Sequence, residues 1–489
     1  MQSSAAHSDS ATIRMAVIAV LAITALRVLA LAFSRMDLFV DEAQYWLWGQ
    51  ELAIGYYSKP PMVGWVIRAF TELGGSDTAF WIRLPGPLFH ATVALLLMAV
   101  AQRMHGAATG ALVALAYLTL PMVSLGSLVI STDTILFPFL ALALFYWLRL
   151  LDRPSAPDAL LAGACLGLGF LSKYAAVYFL IGAALMALTR HDARPARRDA
   201  FLAALAFGLV ILPNIAWNIA NGGTTVSHTM DNASWVRDPA TRAGLNLDKL
   251  AEFLAAQFIV FGPVLFGALI WAVARTLRGG AARAEAGLLW FVLPILAIVS
   301  VQAVLSKAYA NWAATAYLAG ALVAVPLLRA RAPRWLTASF AINGALAVAL
   351  PLAAVFADRL AWDGRLVMGR VIGRAEISET IIETARRTGA QTVVAAHRDI
   401  LADLFHTGRQ SGLTFRAIRG DGRPRHHYEM SLAYEGGAAN PVLLAEIGEM
   451  PPACPHEMAH QWQAGPGAWN GYTITLWLVE PDCSDLGRF

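Results

Sequence analysis

Long apolar runs recur along the chain, at roughly 15–34, 84–101, 107–123, 132–148, 159–171, 174–189, 200–217, 254–274, 286–305, 309–328 and 335–356. Each approaches the ~20 residues that carry a helix across a bilayer. The pattern therefore predicts about eleven transmembrane helices. Lys173 divides the stretch 159–189 into two short ones. From about residue 357 the pattern changes. Residues 375–389 read as an amphipathic helix, with Ile377, Ile381 and Ala385 on one face. Strand-like runs follow at Thr392–Ala396, Leu413–Ile418, Val442–Ile447 and Tyr472–Val479, separated by Gly, Pro and Asn clusters. The expected architecture is a polytopic helical membrane domain, 1–356, followed by a small α/β domain, 357–489.

Composition agrees. Hydrophobic residues make up 57% of the 489 and charged ones 14%, against roughly 25% charged in globular proteins. A soluble enzyme and a disordered chain are both excluded. The net charge of +4 is too small to argue for nucleic acid. No phosphate-cradling loop of the GxxxxGK[ST] or GxGxxG kind occurs.

Arginine placement sets the sides of the membrane. Arg103, the pair Arg149 and Arg153, the group from Arg190 to Arg198, the group from Arg275 to Arg283 and the group from Arg329 to Arg334 follow the even-numbered runs. Loops rich in Arg stay in the cytoplasm. The N-terminus is then cytoplasmic, loops 35–83 and 218–253 face outward, and residues 357–489 are periplasmic. The first run is longer than a signal-peptide core and reads as a retained anchor. Of the three cysteines, Cys454 and Cys483 fall in the outer domain, where a disulfide is permitted but not fixed by spacing.

With sides assigned, the unusual residues cluster on the outer one. Asp41 and Glu42 lie just past the first helix, as either a solvated helix cap or functional carboxylates. Tyr45, Trp46 and Trp48 follow and suit a bilayer interface. Only four lysines occur, Lys59, Lys173, Lys249 and Lys307, and none is cytoplasmic. Each is either snorkelling or holding a phosphate at headgroup level. Asp133, in Ser131-Thr132-Asp133-Thr134, is either a first-turn acid favoured by the helix dipole or a functional intramembrane acid. Trp217 and Asn218, then His228, Asp231 and Asn232, are polar and aromatic groups of the kind that bind sugars, although ordinary loops look similar. A divalent cation near Asp41, Glu42 and His228 is a candidate that no ligand spacing demands. Arg425-His426-His427-Tyr428-Glu429 reads as a solvated loop, with a contact motif or a metal site as the alternatives.

These segments resemble the GT-C glycosyltransferases, in the group holding bacterial protein O-mannosyltransferase-like proteins and the lipid A aminoarabinose transferase. The matching pieces are Asp41-Glu42-Ala-Gln-Tyr45-Trp46, Tyr56-Tyr57-Ser-Lys59-Pro60-Pro61 and Ser131-Thr-Asp133-Thr. Leu171-Ser172-Lys173-Tyr174, Trp217-Asn218 with Asn221, and Lys307-Ala-Tyr309-Ala-Asn311-Trp312 extend the match. The resemblance covers about residues 10–330. It implies transfer of a sugar from a polyprenyl-phosphate donor to an acceptor hydroxyl on lipid A, lipopolysaccharide, another envelope glycan, a lipid or a protein, at the periplasmic face of the inner membrane. It further implies Asp41 as general base, Glu42 as helper or metal contact, Asp133 as a second acid near the reaction, and Lys59 on the donor phosphate. Tyr45, Tyr57, Lys173, Trp217, Asn218, His228 and Lys307 are the remaining candidates for substrate binding. A transporter or flippase of lipid-linked sugars is the alternative, although no paired inverted repeats are visible. A receptor role for residues 357–489 is a second.

Overall fold

The computed structural model describes residues 2–231, 244–280, 282–420, 422, 424–439 and 441–487. Residues 232–243 of the expected outward loop 218–253, with Asn232, lie outside the described residues. The chain forms two compact units, one of Met1–Leu31, Ala53–Val66 and Arg83–Pro351, the other of Ala32–Leu52, Ile67–Ile82 and Leu352–Phe489.

In the first unit every apolar run is helical, as a chain in lipid must be to satisfy its own backbone. Among the described residues six helices are long and apolar enough to span, including Asp9–Ala32, Thr132–Asp152 and Arg197–Ala220, and a bent pair makes a seventh. The other runs give shorter helices, among them Ala107–Thr119, Ala156–Ser172 and Tyr174–Thr189. Physical breaks shorten them: Pro121 follows Ala107–Thr119, and Lys173 is extended between its two neighbours. The bent pair, Leu247–Val260 and Pro263–Leu277, turns through 113°. Gly262 sits at the corner with φ 88°, and a Cβ there would strike the Asn343 side chain, so the position favours glycine on both counts.

Small residues bring helices close. A Cβ on Gly163 would strike the Ala203 carbonyl, and one on Gly167 would meet Val210 at 2.7 Å. This small-xxx-small stripe seats Ala156–Ser172 on Arg197–Ala220, an arrangement common where lipid removes the hydrophobic drive. Arg27, in the first helix and 1% exposed, donates to the Leu118 carbonyl at 2.5 Å and to Ser124 and Ser127 at 3.1 Å each. It pins the segment that leads into Asp133.

The second unit holds a five-stranded sheet. Its strands run in the order Thr414–Ala417, Thr392–Ala395, Val442–Ile447, Thr473–Val479, His456–Gln463. The first three pair in parallel and the last two join antiparallel. The helix Arg374–Thr388 matches the expected amphipathic segment. Two elements had no clear sequence signal: the helix Arg398–Thr407 and the mostly exposed edge strand His456–Gln463. Cys454 and Cys483 are joined by a disulfide.

Candidate functional site

In the second unit, Phe39 is extended and the helix Val40–Gln50 begins after it. Glu42 is fully buried and its carboxylate accepts the Phe39 N–H at 2.9 Å. It satisfies one of the helix's orphan donors. Its neighbour Asp41 is open. The Asp41 carboxylate accepts Nη2 of Arg398 at 2.5 Å, and Gln44 accepts Nε of the same guanidinium at 3.0 Å. Burial opposes the charge on Arg398, but the Asp41 carboxylate outweighs it and holds the pKa above its ordinary value.

The rest of this helix is packed into protein. Trp46 and Trp48 are 2% and 1% exposed, which corrects the expectation of an interfacial belt. The Trp46 indole N–H donates to Asp77 at 2.8 Å, so its polar tip is satisfied inside the fold. Tyr45 and Trp48 have ring centroids 5.3 Å apart, and His427 meets Trp48 edge-on at 5.7 Å.

The segment Arg425–Glu429 is also not the solvated loop its polarity implied. His426 caps the short helix His427–Ser431 by accepting the Glu429 N–H. The Glu429 carboxylate takes the Arg425 backbone N–H at 2.6 Å. Tyr428 is fully buried and stacks on Phe405 at 5.5 Å. Burial, then the charges of His426 and Arg398, push His427 down to about 4, so its ring is neutral near pH 7.

In the first unit, Asp133 opens the helix Thr132–Asp152, capped by Ser131. Lys173 reaches both Asp133 oxygens at 2.8 Å, and Asn311 donates to Oδ2 at 3.1 Å. Two expected site residues and one motif residue thus form a single array. Lys307 lies over the Tyr309 ring at 4.6 Å.

A second polar network surrounds the Lys59 loop. Asn214 donates to the Ile54 carbonyl at 2.6 Å, and Thr225 to the Tyr56 carbonyl at 2.6 Å. Asn218 donates to the Tyr174 hydroxyl at 3.1 Å, which itself donates to Asn214 at 3.0 Å. The Trp217 ring lies against Gly55, and Tyr57 is 5.0 Å from His228. Lys59 is half-buried, its carbonyl accepting the Tyr56 N–H. The aromatic and amide groups read as sugar contacts therefore brace residues 53–59.

For the candidate cation, no group of three or more His, Cys, Asp or Glu side chains converges among the described residues. Asp41 is held by Arg398, and Glu42 by the Phe39 N–H. Arg398 itself was missed from the sequence. One signal was available: a cation in a helix's first turn opposes the dipole there and needs a partner to explain it.

Residues 58–217 match the dolichyl-phosphate-mannose-protein mannosyltransferase family. The lipid A galacturonosyltransferase RgtD of Rhizobium johnstonii is 41% identical over 472 residues, 96% of this chain and 99% of its own. The lipopolysaccharide core galacturonosyltransferase RgtA of the same organism is 29% identical over 47% of each chain. Among solved structures, apo ArnT from Cupriavidus metallidurans has a similar fold, with a TM-score of 0.65 at 13% identity, over 94% of this chain and 97% of that one. These relationships do not favour a transporter. They make the protein a multi-pass glycosyltransferase of the bacterial inner membrane. The chain belongs to the GT-C membrane glycosyltransferases, in the family of the lipid A galacturonosyltransferase RgtD.

Proposed function

We propose that the protein transfers galacturonic acid from a polyprenyl-phosphate donor to a hydroxyl of lipid A or the lipopolysaccharide core, at the periplasmic face. The observation that carries this reading is the 41% identity to a lipid A galacturonosyltransferase along nearly the whole of both chains. The side of the membrane is supported by the Arg-rich even loops and by the Cys454–Cys483 disulfide, which suits an oxidising compartment. The N-terminus is then cytoplasmic and the disulfide-bonded domain periplasmic.

The chemistry follows from the compartment. Outside the inner membrane there is no nucleotide-sugar supply, so the activated sugar arrives on a lipid. The acceptor oxygen attacks the anomeric carbon as the bond from that carbon to the phosphate oxygen breaks. The acceptor's proton passes to Asp41, and polyprenyl phosphate leaves with the electron pair. Asp41 is the carboxylate for this role because it is exposed where Glu42 is buried as a cap. Base catalysis of this kind contributes roughly 10²–10⁴-fold. Lys59, with Lys307, offsets the charge growing on the phosphate. Lys173 acts through Asp133, holding the array with Asn311. Tyr45, buried against Trp48, and Tyr57, buried against His228, support the site from behind, and Trp217, Asn218 and His228 hold the Lys59 loop. No step is routed through a metal ion. A single displacement inverts the anomeric centre.

Mass spectrometry of lipid A and core oligosaccharide, with and without the protein, tests the reading. The expected result is loss of one uronic acid residue when the protein is absent. An unchanged envelope would overturn it. NMR of the product tests inversion, and retention of the donor configuration would remove the single displacement.

A further inference from the structure

A galacturonate donor differs from a neutral hexose donor by one carboxylate. Burying that charge without a cation is costly, so a selective enzyme needs a positive group beside the sugar, apart from those on the phosphate. The proposed reaction places the sugar next to Asp41. Among the described residues, the cation that touches Asp41 is Arg398.

The geometry of Arg398 suits this task. Its Nη2 and Nε are taken by Asp41 and Gln44. No hydrogen bond from its Nη1 is found among the described residues, and the side chain keeps 33% of its exposure. Guanidinium is a planar fork that matches a carboxylate with two parallel N–H donors. The other arginines nearby are occupied differently. Arg370 and Arg374 sit over the Phe39 ring at 5.6 and 5.5 Å, and Arg374 is paired with Asp399.

A second, independent observation points to a ligand. Tyr428 is fully buried within the electrostatic reach of Arg398 and Asp41. Its hydroxyl has no hydrogen-bond partner among the described residues, and the same holds for Nδ1 of His427. Buried polar groups are normally paired. Two such groups side by side in the motif next to Arg398 are explained if a polar ligand completes them.

We infer that Arg398 is the specificity-determining residue for the uronic acid: in the ligand-free protein it holds Asp41, and in the donor complex it turns its fork to the sugar carboxylate and leaves Asp41 to take the acceptor proton. The inference rests on the galacturonate reading proposed above. No covalent step is added, because one ion pair is exchanged for another and the total charge is conserved.

The test compares two donors, polyprenyl-phosphate galacturonate and polyprenyl-phosphate galactose, on the full-length wild type and on R398Q and R398K. The wild type should prefer galacturonate by about 100-fold in kcat/KM, the loss expected when a charge-assisted bidentate contact is left unmade. R398Q should bring the ratio towards one, and R398K should recover part of it. Each ratio is taken within one protein, so a smaller folded fraction cancels. Where R398Q turns over too slowly, displacement of labelled galacturonate donor by the galactose donor reads the same ratio in binding. A ratio in R398Q equal to that of the wild type would overturn the inference and leave Arg398 as a clamp on Asp41. Wild type that uses neither donor, or prefers galactose, would instead sink the galacturonate reading itself, so the two failures are distinct.

Discussion

Asp41 and Asp133 begin from the same sequence device and end in different states. Each is a first-turn acid of a helix, where the dipole favours negative charge, and each meets a basic side chain. Asp133 is closed: its side chain is 12% exposed, Lys173 is 19% exposed, and Asn311 adds a third contact. Asp41 is open at 46%, and its partner Arg398 at 33%. A buried pair loses heavily when one partner is removed, whereas a pair that water reaches is worth less in stability. The difference separates a pair that fixes structure from a pair that can be exchanged during a reaction.

The largest expected effect tests the open pair. D41N keeps the shape of the side chain and removes the base. Its kcat should fall by about 10²–10⁴-fold, with a smaller loss of thermal stability in detergent than removal of the buried Lys173 causes, because this pair is only half-buried. Turnover near wild type in folded protein would remove Asp41 as base and break the contrast with Asp133.

The closed pair should show the reverse. K173M strands the Asp133 carboxylate and is expected to cost about 3 kcal/mol of stability, read as a lowered melting temperature. The double variant D133N/K173M should recover much of that loss, because the uncompensated charge is gone. A K173M protein that melts like wild type yet loses donor binding would place Lys173 on the phosphate directly.

How much of this contrast the chain announces differs between the two sites. The helices were legible because a backbone in lipid has few alternatives to helix, and Lys173 marked its own break between two apolar runs. The lengths were less legible. Pro121 and the glycine corner at Gly262 divide runs that hydropathy reads as continuous. In the second unit the apolar strands were clear, but His456–Gln463 is an exposed edge strand, where apolar alternation has no reason to persist. Arg398 was invisible for a different reason. Its partner lies 357 positions earlier, and no local spacing rule connects them. The Arg425–Glu429 motif misled because its polar side chains satisfy one another and its own backbone, not water.

That motif supplies a pH test. His427 has a pKa near 6.5 in an unfolded chain and about 4 in the fold. The unfolded chain therefore binds the proton more readily. The stability from keeping His427 neutral is complete above about pH 6.5 and is lost as the pH falls towards 4. Over that window the wild type should lose roughly 2 kcal/mol more than H427Q, measured as the difference between their unfolding curves. Parallel curves would mean that His427 does not stay neutral beside Arg398.

The smallest expected effect separates the packed end of the helix Val40–Gln50 from its open end. Trp46 lies one and a half turns beyond Asp41, its indole N–H on Asp77 at 2.8 Å and its ring edge-on to His406 at 4.9 Å. His406 in turn meets the Asp77 carbonyl at 2.8 Å. W46F keeps an aromatic ring and removes the donor, while Asp77 is half-buried and can take water instead. The expected cost is about 1 kcal/mol of stability, with kcat within about 3-fold of wild type because Asp41 and Arg398 are untouched. A W46F protein that unfolds like wild type but loses activity on the scale of D41N would contradict this division. It would mean that the rigidity of the whole helix, and not the openness of one carboxylate, sets the rate.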